Sequence, residues 1–195
     1  MKKIIISVFI IAFAQLATAQ DTYWSITWEM SIPTGPTQDF IEKSSFRGFG
    51  FEGRKFVDNN VSIGGGIHWN VFYEKKDKIT TVVDNITLTG THFNYINAFP
   101  FFFNASWYMN EGSYVRPYVG LNAGGIYAVY RKDIGLYRIE EDPLKLGLAP
   151  EIGVMVDAYT GMGFTINARY NYGLQTSETD ALNYFGINVG LLWSY

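Results

Sequence analysis

Residues 184–195, YFGINVGLLWSY, alternate strictly. Phe185, Ile187, Val189, Leu191, Trp193 and Tyr195 fall on one face, and Gly186, Asn188, Gly190, Leu192 and Ser194 on the other. A period of two is the mark of a β-strand whose two faces meet different surroundings. The same alternation predicts seven earlier strands. They lie over 22–32 (Trp24, Ile26, Trp28, Met30 and Ile32 on the apolar face), 45–56 (Phe49, Phe51), 61–73 (Val61, Ile63, Ile67, Trp69, Val71, Tyr73) and 92–109 (Phe99, Phe101, Phe103, Ala105, Trp107). The others are 115–130 (Val119, Leu121, Ala123, Tyr127), 144–157 (Leu144, Leu146, Leu148, Ile152) and 162–174 (Phe164, Ile166, Ala168, Tyr170). No stretch after residue 20 sustains the i, i+3, i+4, i+7 spacing of an amphipathic helix. Connections are predicted to alternate between short (57–60, 110–113, 158–161) and long (33–44, 74–91, 131–143, 175–183).

Eight alternating strands in a row predict an up-and-down barrel. A soluble, lipocalin-type carrier turns its apolar face inward, whereas a membrane barrel turns it to lipid. The second face decides between them. It reads Ser62, Gly64, Gly66, His68, Asn70 on the third strand and Gly163, Thr165, Asn167, Arg169, Asn171 on the seventh. Glycine weakens a water-facing strand, so this composition suits a narrow, crowded interior. Strands of this length exceed the roughly 9–11 residues that a tilted strand needs to cross a bilayer. Trp24, Trp107, Trp193 and Tyr195 stand near strand ends, where interfacial girdles form. The expected fold is therefore all-β, an eight-stranded antiparallel transmembrane barrel.

Composition changes the picture in three ways. MKKIIISVFIIAFAQLATAQ has a basic start, an apolar run too short to span a bilayer and a small-x-small Ala17-Thr18-Ala19 site. It predicts a signal peptide over 1–19 and a barrel domain over 20–195. Removing Lys2 and Lys3 leaves 13 basic residues against 18 acidic, net −5, with no basic patch for nucleic acid. The chain has no cysteine, which excludes disulfides, thiolate metal sites and a lipid-modified N-terminal cysteine.

RPYVGLNAGG (116–125) and GINVGLLWSY (186–195) carry a resemblance to the small eight-stranded outer-membrane barrels, the group of the outer membrane protein A transmembrane domain and outer membrane protein X. The resemblance implies an outer-membrane location after export and contact with lipid and lipopolysaccharide. It also implies insertion by the barrel-assembly machinery, reading a final strand that ends on Trp193 and Tyr195.

The inward face also carries Glu29, Glu52, Arg54, Arg116, Glu151 and Arg169. Buried charges are costly alone, so these six are expected to pair in an interior polar network. Antiparallel counting through the short turns sets Glu151 opposite Arg169, Glu52 and Arg54 opposite Gly66 and Gly64, and Arg116 opposite Tyr108. A narrow eight-strand lumen is then filled by polar side chains and does not act as a general pore. His68 and His92, the two histidines, lack the Ser and acid context of a hydrolase, and no metal or phosphate motif is present. No cofactor and no catalytic residue is expected. The expected role is structural, or binding and adhesion to an extracellular or envelope protein through the long loops. The alternatives are a barrel enzyme modifying lipid A, a narrow-pore channel and a soluble periplasmic lipocalin-like carrier.

Overall fold

The computed structural model describes residues 22–83, 86–110, 112–135, 137–157, 161–177 and 179–194, with side chains except over 78–89. The expected leader, 1–19, and Tyr195 lie outside the described residues. The elements are β1 (Thr22–Pro33), α1 (Pro36–Phe40), β2 (Ser45–Asp58), β3 (Val61–Val83), β4 (Ile86–Tyr108), β5 (Val115–Ile134), β6 (Tyr137–Glu141), β7 (Leu144–Asp157), β8 (Met162–Gly173) and β9 (Leu182–Ser194).

Every pairing is antiparallel, and β1 pairs with β9 from Tyr23↔Ser194 to Pro33↔Tyr184, which closes the ring. β6 and β7 are one wall strand. Both pair with β5 in a single register (Tyr130↔Glu141, Tyr127↔Leu144), interrupted only at 142–143, where the Ala128 N–H donates to the Pro143 carbonyl at 3.0 Å. The wall therefore has eight strands. Closure satisfies its backbone groups without an open edge, the condition for crossing lipid with strands.

The apolar faces point outward. Phe103 is 70% exposed, Leu146 71% and Ile67 64%, whereas Arg169 is 2% exposed. Large aromatics stack along the outer wall: Trp24 on Phe51 at 5.4 Å, Trp69 on Phe99 at 5.9 Å and Phe99 on Tyr127 at 6.2 Å. An exposed apolar surface wrapping the whole circumference is unstable in water and stable in lipid.

Two expectations are corrected. Residues 74–91 are not a long loop: β3 and β4 continue through most of it, pairing from Lys76↔His92 up to Val83↔Ile86. Its Thr, Val and Ile content favours strand, and its charges obscure the alternation. Residues 131–143 likewise extend β5 and add β6. At 23 residues, β3 and β4 are about twice the length a bilayer requires, so their upper halves project beyond it. The 33–44 connection holds one short helix, α1, with Pro36 at its first turn, where a missing N–H costs nothing.

Candidate functional site: the barrel interior

The inward residues form three layers. At the end with the short turns, Tyr108, Tyr118, Met155 and Leu192 pack together with Tyr23 and Phe56 against them. At the long-loop end, Ile41, Phe72, Ile96, Phe102, Ile126, Leu182 and Tyr184 belong to one apolar cluster. A charged layer is built from the strands between. The lumen is thus polar in its middle and apolar at both ends, which corrects the expectation of a polar filling throughout. Apolar side chains fill space without needing partners, and at these ends the buried Tyr118 and Tyr130 hydroxyls are left without one among the described residues.

The middle layer joins five of the six expected residues. Arg169 donates from Nε (2.7 Å) and Nη2 (2.5 Å) to Glu151 Oε2 and also binds the Glu52 carboxylate. Arg54 donates from Nη2 to Glu52 Oε2 at 2.7 Å and to Glu151 Oε1 at 2.6 Å. Its Nη1 reaches Ser106 Oγ at 3.2 Å and Tyr108 Oη at 3.3 Å. Two guanidiniums therefore clamp two carboxylates in a closed ring. Glu29 joins through His68, whose Nδ1 lies 2.7 Å from Glu29 Oε1 and whose Nε2 lies 2.9 Å from Arg169 Nη1. A proton on Nδ1 satisfies both contacts. Asn70 donates to Glu29 Oε2 at 3.0 Å and accepts from Ser31 at 2.6 Å.

Arg116 is the exception. Tyr108 pairs with Tyr118, not with Arg116, because the 109–114 connection is longer than a tight turn and shifts the register by two. The shift keeps Arg116 inward but lower, where its guanidinium lies over the Phe56 ring (4.4 Å) and the Tyr108 ring (5.2 Å) and donates to the Asn59 carbonyl at 2.5 Å. It caps the aromatic layer and takes no part in the ring of charges.

Glycine makes the charged layer possible. The direct cross-strand partners are Glu29↔Gly48, Glu52↔Gly66, Arg54↔Gly64, Glu151↔Gly120 and Arg169↔Gly186. Each long charged side chain stands beside a position with no side chain of its own. Beneath the ring, Tyr23, Ser25, Glu52, Arg54, Met155 and Thr165 border a void of about 20 Å³, enough for one water.

The long-loop end is sealed by loops bound to inward side chains. Glu74 accepts from the Glu42 N–H (2.9 Å), Asn94 donates to the Phe40 carbonyl (2.7 Å) and Thr37 Oγ1 accepts from the Asn183 N–H (2.7 Å). These hold the α1 segment, and Ile41 fills the centre with 0% exposure. Lys145, which was not expected to matter, donates to Thr179 Oγ1 at 2.5 Å and the Asp180 carbonyl at 2.8 Å, holding Thr179 and Asp180 against the wall.

Sequence reasoning treated His68 as unremarkable. The signal was its parity: it shares the inward face of β3 with Gly66 and Asn70. His92 is inward and buried on β4, between Lys76 and Ile134. Trp193 is on the outer wall, paired with Trp24 and Met162, with its ring 6.4 Å from Phe51. Among the described residues no group of His, Asp and Glu has metal-site geometry.

No protein-family model and no curated protein matches the chain. Solved structures do. Neisserial surface protein A superposes with a TM-score of 0.57 at 14% identity, covering 89% of this chain and 97% of that one. Ail, the attachment invasion locus protein of Yersinia pestis, gives 0.56 at 16%, covering 91% and 100%. Outer membrane protein OprG of Pseudomonas aeruginosa gives 0.55 at 11%, covering 92% and 98%. The fold is that of the small eight-stranded outer-membrane barrels.

Proposed function

We propose that this barrel resides in the outer membrane and serves there as a plugged scaffold that presents a recognition surface, without catalysis or conduction of its own. The observation that carries this reading is the filled lumen. Paired charges occupy its middle, and apolar layers close both ends. What remains accessible is the projecting sheet of β3–β6, where loops on a rigid frame commonly bind. The partner is an extracellular or envelope protein, with lipid and lipopolysaccharide around the wall. Delivery runs through the signal peptide and the barrel-assembly machinery. The attachment and invasion named for Ail favours an adhesive role over a purely structural one.

The test has two parts. Purified protein in planar bilayers gives no stepwise conductance, and cells expressing it keep an unaltered lipid A mass. Steady conductance steps would replace this reading with a narrow pore, and a lipid A mass shift would replace it with an enzyme. Shortening the β3–β4 hairpin abolishes co-purification of the envelope or surface partner while leaving the barrel inserted; an unchanged set of co-purifying proteins refutes recognition by this sheet.

A further inference from the structure

The charges of the middle layer do not balance. The carboxylates of Glu29, Glu52 and Glu151 stand against the guanidiniums of Arg54 and Arg169, all of them buried. Glu52 and Glu151 are ion-paired with both guanidiniums or share them. The ion-pair contact of Glu29 is with the imidazole of His68. With that imidazole neutral, the layer holds one negative charge in excess. A buried excess charge is costly, and a proton is the smallest ion that cancels it.

The hydrogen bonds leave one place for that proton. Glu29 already accepts from Thr27 Oγ1 at 3.2 Å, Asn70 Nδ2 at 3.0 Å and His68 Nδ1 at 2.7 Å. With Nδ1 donating, Nε2 of the same ring is an acceptor, and it takes an N–H from Arg169 Nη1 at 2.9 Å. A second acceptor stands close by, because Glu52 Oε1 lies 3.4 Å from Nε2. Two donors cannot face each other at hydrogen-bond distance. A proton on Nε2 therefore displaces Arg169 Nη1 and gives the new N–H to Glu52. The groups around the imidazole are Glu29 on β1, Glu52 and Arg54 on β2, Glu151 on β7 and Arg169 on β8. The Tyr184 hydroxyl of β9 reaches it through Asn70, whose Nδ2 lies 3.4 Å away. On the β4 side, Ala98 and Phe102 stand opposite Asn70 and Gly66 and carry no charge.

We propose that His68 is a proton-operated switch in the lumen: one solvent proton taken up at Nε2 exchanges Arg169 for His68 at Glu52 and neutralises the layer. The exchange has a mechanical consequence. Glu52–Arg169 ties β2 to β8 across the lumen, whereas His68–Glu52 joins neighbouring strands, since Glu52 pairs with Gly66 of β3. Arg169 falls back on Glu151, its direct partner on β7. Acidification thus removes one of two cross-lumen ties and leaves Arg54–Glu151 as the other.

The test is nuclear magnetic resonance on the full chain folded in detergent micelles, with nitrogen-15 in histidine and arginine and carbon-13 in glutamate. Heat-modifiable gel mobility establishes the folded state at each pH. The pH is lowered from about 8 to 5, the range in which imidazole ordinarily changes charge. At the upper end Nε2 of His68 gives the signal of an unprotonated acceptor, in contact with the Arg169 guanidinium. On acidification it becomes protonated. Over the same transition the Arg169–Glu52 cross-peak is lost and the Arg169–Glu151 cross-peak is kept. His68→Gln assigns the imidazole signals, and in this variant the Arg169–Glu52 cross-peak persists to the lower end. Should the variant not fold, the wild-type titration decides alone. An Nε2 protonated at both ends or at neither, or a titration during which the Arg169–Glu52 cross-peak stays, overturns the proposal.

Discussion

Removing Arg169 tests whether the ring of charges is coupled. Its guanidinium contacts both Glu151 and Glu52, and Arg54 is the other cation of that ring. Arg169→Gln leaves two buried carboxylates sharing one guanidinium, with Glu29 alongside. Unit charges about 4 Å apart interact by about 4 kcal/mol at an effective dielectric near 20. Breaking a buried pair by removing one partner costs about 3–5 kcal/mol, because the remaining charge stays desolvated. Glu151→Gln is expected to cost a similar amount, since it deprives both guanidiniums of a ligand. The double variant removes one charge of each sign, so its loss is smaller than the two single losses together by about 1–3 kcal/mol. The assay is reversible urea unfolding of the refolded barrel in lipid vesicles, followed by tryptophan fluorescence. Additive losses would refute the coupling and reduce the ring to independent space-filling.

Gly66→Ala places a Cβ 2.7 Å from Glu52 Cγ and 3.1 Å from His68 Nε2, so the same unfolding assay shows a loss of about 1–3 kcal/mol; Gly90→Ala, with nothing within 4 Å, is near neutral. Lys76 titrates above the usual lysine range, since Glu42 and Glu74 outweigh the opposing effect of burial. Its raised folded value means the tether to the α1 segment is fully present below the ordinary lysine pKa of 10.5 and is lost as pH rises through the folded value; proteolysis of the 33–44 loop should therefore rise above that pH in the wild type and be pH-independent in Lys76→Met. Deleting Tyr195 lowers outer-membrane levels while the inserted fraction keeps its unfolding midpoint; unchanged levels would remove its role as assembly signal.

The faces of all eight wall strands were legible because parity survives errors of register. A slip of two residues leaves every side chain on its side, which is why Arg116 was correctly inward and yet matched to the wrong partner. Glu151 opposite Arg169 was legible because a short turn fixes the count. His68 was not, since its partners Glu29 and Arg169 come from β1 and β8. Strand-by-strand reading does not reach across a lumen. Phe72, Ile96, Phe102 and Ile126 were also missed, being apolar residues on a face judged by its majority. The upper half of β3 was hidden by Lys75, Lys76, Asp77 and Lys78, which interrupt the apolar periodicity of the strand.

The single register shared by β6 and β7 across 142–143 has a consequence for how such a chain can change in length. Residues added at the far end of the β5–β6 hairpin leave every pair below in place, so the tip can lengthen or shrink freely. An odd insertion lower in β7 would instead turn Glu151 toward lipid and its outward neighbour Ile152 toward the ring of charges. The barrel thus behaves as a fixed socket carrying an adjustable stem: variation in reach is tolerated at the tip, while the lumen admits only even steps.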